Sequence, residues 1–217
     1  MTHMRLITIL FAAAATLAAQ NTTPIDNDQV KVIVVKEEPH RKTRLHDHKV
    51  NRVMVYLNAG KQVFEWEGKP NTTLNFKQNE AVWSPAAGMH KAEIVSNEPV
   101  AIVEIELKKP ASGVKQPLPD LDVLKDKEHY KLEFENDQVR VIRAKTGPHG
   151  TIALHEHPRN RVGIYLTDQN FRVTAVDGSV TMPNHKAGEV AWSPPAKHKE
   201  ENLSDKPFEL LLVEIKN

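Results

Sequence analysis

Six histidines in this chain fall into two sets of the same pattern. His46-Asp47-His48 is followed by Trp83-Ser84-Pro85 and His90, and His155-Glu156-His157 by Trp192-Ser193-Pro194 and His198. On a β-strand, residues i and i+2 share a face, so the rings of each His-x-His pair project together. A third imidazole from a neighbouring strand completes a three-nitrogen set with positions left open for water and ligand, the arrangement a catalytic divalent metal requires. One His-x-His pair is weak evidence, because polar strand faces carry such pairs by chance. Two pairs with the same distant partner are much stronger. The competing reading is a set of histidines that bond to backbone without metal.

Arg52 and Arg161 follow the pairs at the same offset. Arg52 shares the parity of His46 and His48, so it too is expected to point inward. A guanidinium about 5 Å from a divalent ion would be opposed by roughly 7 kcal/mol at an effective dielectric of about 20. Either the arginine turns away, or an anion sits between it and the metal, or no metal binds. The second option makes Arg52 and Arg161 substrate-binding residues, since arginine grips a carboxylate bidentately. The bland alternative is pairing with Asp47, Glu156 or another surface carboxylate.

The elements that hold these residues also occur twice. Asn27-Asp28-Gln29-Val30 is matched by Asn136-Asp137-Gln138-Val139, Asn51-Arg52-Val53 by Asn160-Arg161-Val162, and Tyr56-Leu57 by Tyr165-Leu166. Hairpin turns are marked by Glu67-Gly68 and Asp177-Gly178, and apolar strands close the copies at 100–107 and 208–215. Alternating apolar positions, frequent turn residues and almost no helical periodicity predict an all-β barrel or sandwich. The expected units span roughly 80 to 85 residues each. Their boundaries are placed at 25–109 and 129–217, with a Pro-containing linker over 110–128 that holds one helical turn near Leu121–Lys125. His129–Phe134 is expected to add an edge strand. Tyr56 and Tyr165 should fill the core, Trp83 and Trp192 should pack at the barrel bottom or rim, and Glu106 and Glu214 read as a solvated edge.

This organisation resembles the cupin superfamily, in its two-domain bicupin form, over nearly all of the chain past the leader. The first motif of that family places a glycine six residues before His-x-His and a glutamate four or five residues after it. The second places a proline before a third histidine. The resemblance implies that His46, His48 and His90, and likewise His155, His157 and His198, are metal ligands, with Pro85 and Pro194 at the proline. It implies two tandem double-stranded β-helix (jelly-roll) barrels and a divalent metal, Fe, Mn, Ni or Zn. Two departures stand out: His40 and His149 occupy the glycine position, and Arg52 and Arg161 stand where the ligand glutamate belongs. Pro158 and Asn202 bring the second copy closer to the pattern and favour it slightly as the working site.

Arg5, the apolar run Leu6–Ala15 and the small residues to Ala19 read as a signal peptide over 1–19, implying a periplasmic or secreted protein with no membrane association after cleavage. Without Arg5 the chain carries 28 basic and 28 acidic residues. That balance argues against nucleic acid, which needs a basic face. Cysteine is absent, so a metal must be held by His, Asp or Glu. The expected partner is a small-molecule ligand, anionic if the arginines grip it, and a homodimer is left open. The functional readings are a metal-dependent enzyme of dioxygenase or isomerase type, a small-ligand-binding module, and a structural cupin without metal.

Overall fold

Strict alternation shapes the strands. In the run from Val100 to Leu107, Val103, Ile105 and Leu107 fall on one face, while Ile102, Glu104 and Glu106 fall on the other. The computed structural model describes residues 21–113 and 117–216, and the leader expected over 1–19 lies outside them. The first half contains β1 (Thr22–Asp26), β2 (Val30–Glu37), β3 (His46–His48), β4 (Arg52–Tyr56), β5 (Gly60–Trp66), β6 (Thr72–Phe76), β7 (Glu80–Ser84), β8 (Ala87–Ile94) and β9 (Val100–Leu107). The second contains β10 (Tyr130–Glu135), β11 (Val139–Thr146), β12 (Thr151–His157), β13 (Arg161–Tyr165), β14 (Phe171–Ala175), β15 (Val180–Thr181), β16 (Val190–Ser193), β17 (Ala196–Asn202) and β18 (Phe208–Ile215). Helix among the described residues is limited to one 3-10 turn, Val123–Lys125. The protein is all-β.

Each half pairs a five-stranded with a four-stranded sheet. The orders are β1-β2-β9-β4-β7 and β3-β8-β5-β6 in the first, and β10-β11-β18-β13-β16 and β12-β17-β14-β15 in the second. The second set is the first shifted by nine strands. The two five-stranded sheets turn one face toward each other. Val30, Val32, Val53, Val55, Val103 and Ile105 from the first half share one buried cluster with Val139, Val141, Val162, Ile164, Leu211 and Val213 from the second. Trp83 and Trp192 pack against this cluster. They are packing residues, as expected, but sit between the halves. The opposite face of each five-stranded sheet looks into its own half, where Met54, Tyr56 and Ile102 meet Phe76 and Ile94 of the smaller sheet.

Repeated polar residues register this arrangement. Asn27 Oδ1 accepts from the backbone N–H groups of Gln29 and Val30, and Asn136 Oδ1 does the same for Gln138 and Val139. Asn51 then donates to Gln138 across the interface, and Asn160 donates to Gln29. His40 and His149 have φ of 57° and 54°. Left-handed backbone explains why a glycine suits that position, and histidine is among the side chains that tolerate it.

Two expectations need correcting. Glu214 is fully buried and Glu106 partly so, because β18 runs between β11 and β13 and β9 between β2 and β4, so neither strand has a free edge. Part of the expected linker is built into the second half. Glu156 donates its backbone N–H to Leu121 O, Asp122 bridges Glu156 as a parallel pair, and Val123 is wholly buried with Tyr130 and Ile142.

Candidate metal centres

In the first half, β3 pairs with β8 so that His46 lies directly opposite His90, and His48 joins them on the same face. The ring centroids lie 4.9, 4.6 and 5.3 Å apart for the pairs 46–48, 46–90 and 48–90. Hydrogen bonding assigns the tautomers. His46 Nδ1 lies 2.7 Å from Arg44 O and His90 Nδ1 2.9 Å from Gly88 O. A carbonyl only accepts, so both Nδ1 atoms donate, which in the neutral ring leaves Nε2 with its lone pair. Arg52 donates from NH1 to His48 Nε2 at 2.9 Å, which makes that nitrogen an acceptor as well. One ligand atom from each ring lies within 4.8 Å of the others. Burial, then the Arg52 charge, lowers the His48 pKa to about 3, and burial also lowers that of His90. These two rings are therefore neutral near pH 7, the state a metal ligand needs.

Arg52 is buried among these groups. Besides His48, its NH1 donates to Glu104 Oε2 at 2.9 Å, and NH2 donates to Ser84 Oγ at 3.0 Å. The charge opposition anticipated between guanidinium and metal is offset by the Glu104 carboxylate. Burial raises the Glu104 pKa, against the pull of Arg52. The triad opens onto a cavity of about 700 Å³ whose walls include Met54, Phe64, Trp66 and Val82.

The second half repeats the triad in a closed setting. His155 lies opposite His198 in the β12–β17 pair, and the centroids are 5.1, 4.7 and 5.4 Å apart for 155–157, 155–198 and 157–198. All three rings are buried, and one ligand atom of each lies within 4.8 Å of the others. His155 Nδ1 bonds Ala153 O at 2.8 Å, repeating the carbonyl contact two residues upstream, while the Tyr130 hydroxyl lies 3.1 Å from its Nε2. His157 Nδ1 and His198 Nε2 are buried without a hydrogen-bond partner. Such an atom costs about 1–3 kcal/mol when left unsatisfied, and His157 Nδ1, whose nearest carboxylate oxygen is Glu214 Oε1 at 3.7 Å, is the one an ion would relieve. Glu200 Oε1 approaches His198 Nε2 to 3.3 Å. Burial lowers the pKa of His155, and pushes that of His157 well below its ordinary value.

Arg161 is also buried, but donates to Pro194 O at 2.6 Å and so braces the Trp-Ser-Pro turn. The ion pair beside this triad belongs to Arg140, which binds Asp122 with both NH groups (3.1 and 2.8 Å) and Glu214 through Nε at 2.7 Å. Asp47 and Glu156, offered by the sequence as arginine partners, instead meet Lys49 and Lys197. Sequence reasoning missed Glu104, Glu200, Asp122, Arg140 and Tyr130. Strand parity could have found two of them. Glu104 shares a face with Ile102, and Glu200 lies two residues past His198.

No protein-family model matches the sequence, and no curated protein does. Solved structures do match. One is oxalate decarboxylase of Bacillus subtilis, determined in a study of its Mn(II) centres: TM-score 0.63, 14% identity, covering 92% of this chain and 72% of that one. A structure on the substrate binding mode and reaction specificity of oxalate decarboxylase gives 0.64 and 15% over the same shares. AerE from Microcystis aeruginosa gives 0.62 and 12%, covering 92% of this chain and 97% of its own. The fold is cupin-like. At these identities the likeness carries the architecture and no activity.

Proposed function

We infer that the chain is an exported cupin of two tandem barrels that holds a divalent metal at each histidine triad and acts on a small molecule in the first half. One observation carries this reading: three imidazole rings, with one ligand nitrogen of each within 4.8 Å of the others, converge on the wall of an open cavity. The residues fit a metal, since all three nitrogens are acceptors and the nearest cation, Arg52, is neutralised by Glu104. A bound divalent ion would supply Lewis-acid polarisation of an oxygen on the ligand. His46 and His90 are held in the required tautomer by backbone carbonyls, an outer contact that fixes ring orientation. Arg52 orients His48, and the N–H it releases when that nitrogen takes a metal gives the ligand one donor. Arg161 is proposed to serve the second site through the turn it braces. Export rests on the Arg5, Leu6–Ala15 pattern.

The second triad is proposed to bind metal without turnover, because the Tyr130 hydroxyl and the Leu121–Val123 segment close it. One observation favours a metal-free, non-catalytic binding module instead: Arg52 already occupies His48 Nε2. Elemental analysis of untagged protein, purified from its own compartment, separates the two. The expected result is about two ions per chain, with manganese the first to test given the Mn(II) centres of the oxalate decarboxylase neighbour. His46→Ala and His155→Ala should each remove one. Protein that arrives metal-free and takes up none of iron, manganese, nickel or zinc would overturn the metal reading.

A further inference from the structure

The geometry points to a ligand with an apolar, ring-bearing body and a single oxygen head group, rather than a small dicarboxylate. The inference deepens the metal-site reading by naming what enters the first cavity. Three observations carry it.

The cavity is far larger than a two-carbon acid requires, at about 700 Å³, and its walls are mainly apolar. Phe64 and Trp66 stand on the same face of β5, their rings 5.9 Å apart and nearly parallel. Trp66 lies 4.6 Å from His90, so the aromatic wall runs up to the triad. Its indole N–H donates to Thr72 Oγ1 at 2.8 Å, which fixes the ring in place. Both side chains are only half-buried. Aromatic area left open in a concave site is the usual mark of an apolar occupant.

The wall also belongs to one half alone. Strand pairing sets Trp66 opposite His90 and Phe64 opposite Ala92; in the second half Ala175 faces His198 and Val173 faces Glu200. The fold therefore does not need aromatic residues at these positions.

Charge argues in the same direction. Three carboxylates, Glu37, Glu104 and Glu106, line the cavity against two guanidiniums, Arg44 and Arg52. Arg52 has both NH groups engaged and its Nε buried without access, so it presents no free fork to grip a carboxylate. Before any ion binds, a dianion would therefore meet net negative charge and no bidentate side chain; a bound divalent ion would reverse that sign, so for the loaded site the aromatic wall carries the inference.

The test is calorimetric titration of the full chain with 2-naphthol and, separately, with oxalate. It is run on manganese-loaded protein and again after chelator treatment. Binding of 2-naphthol at least about tenfold tighter than oxalate is expected. Trp66→Ala should weaken it about tenfold, while Trp66→Phe retains most of the affinity. The Trp66 indole N–H signal, assigned by its loss in Trp66→Phe, should shift on binding in the unmodified protein, a readout that survives if Trp66→Ala fails to fold. Oxalate binding as tightly as 2-naphthol, or an indole signal that ignores 2-naphthol, would overturn the inference. Protein that takes up no manganese yet binds 2-naphthol through Trp66 would sink the metal reading and leave this one standing. Manganese-loaded protein indifferent to 2-naphthol does the reverse.

Discussion

The two halves carry the same three histidines in the same strand register, yet one set faces a cavity and the other is sealed. The difference lies in residues that alternate with, or flank, the shared pattern. In the first half Glu104 stands on β9 and pairs with Arg52, and Phe64 and Trp66 line the space in front of the triad. In the second half Leu212 takes the place of Glu104, the acid moves to Glu200 on the smaller sheet, and Arg140 draws Asp122 and Glu214 inward. The arrangement of the three rings is thus retained independently of access. Resemblance in the motif says which residues could hold an ion, and their surroundings decide which ion is reachable.

The largest contrast should come from the buried cluster of the second half. Glu214→Ala leaves Arg140 short of one buried counter-charge and should cost about 3 kcal/mol or more, read from the urea midpoint. The register-equivalent Glu106 is only partly buried, and Glu106→Ala should cost clearly less in the same measurement. Equal losses would mean that the second half is not plugged by this cluster. Next comes Glu104→Gln, which removes the charge that offsets Arg52. Metal affinity of the first site should fall about 10- to 100-fold while the second keeps its ion, as chelator competition would show.

Acidity should sharpen the comparison further. The folded state holds His48 at a pKa of about 3, below its ordinary 6.5, mainly through burial. As pH falls through that window, the unfolded chain takes up protons that the folded rings refuse, so metal-free protein loses stability. His157 is likewise held well below its ordinary value, chiefly by burial, so His157→Gln, like His48→Gln, should flatten the acid limb of the Tm–pH curve. The smallest effects are expected at the seam. Asn51→Ala and Asn160→Ala each remove one cross-interface hydrogen bond, worth about 1 kcal/mol, and Asn51→Ala also strips the Ala86 N–H of its acceptor, so it should lower stability somewhat more.

Much of this was legible in the sequence. The triads, the strand pattern, the buried Tyr56 and Tyr165 and the edge strand after His129 all follow from periodicity and spacing. Glu214 did not, because an acid near the end of an apolar strand reads as exposed until the neighbouring strands are known. Asp122 was hidden for a related reason. A proline-containing stretch looks extended and solvated, and only the parallel bridge to Glu156 joins it to the strand that carries His155 and His157. The preference for the second copy rested on Pro158 and Asn202. Asn202 does hold its turn, bonding Gly147 O and Lys206 O, but that contact concerns backbone order and says nothing about entry to the triad.

Because the valine- and isoleucine-rich faces of the two larger sheets are buried only against each other, neither half is self-sufficient. Cleavage within 110–120 would leave each fragment with an oily sheet surface in water, driving the fragments to reassociate or precipitate. The two candidate sites, on opposite sides of that seam, would then be lost together in one melting event despite sharing no ligand.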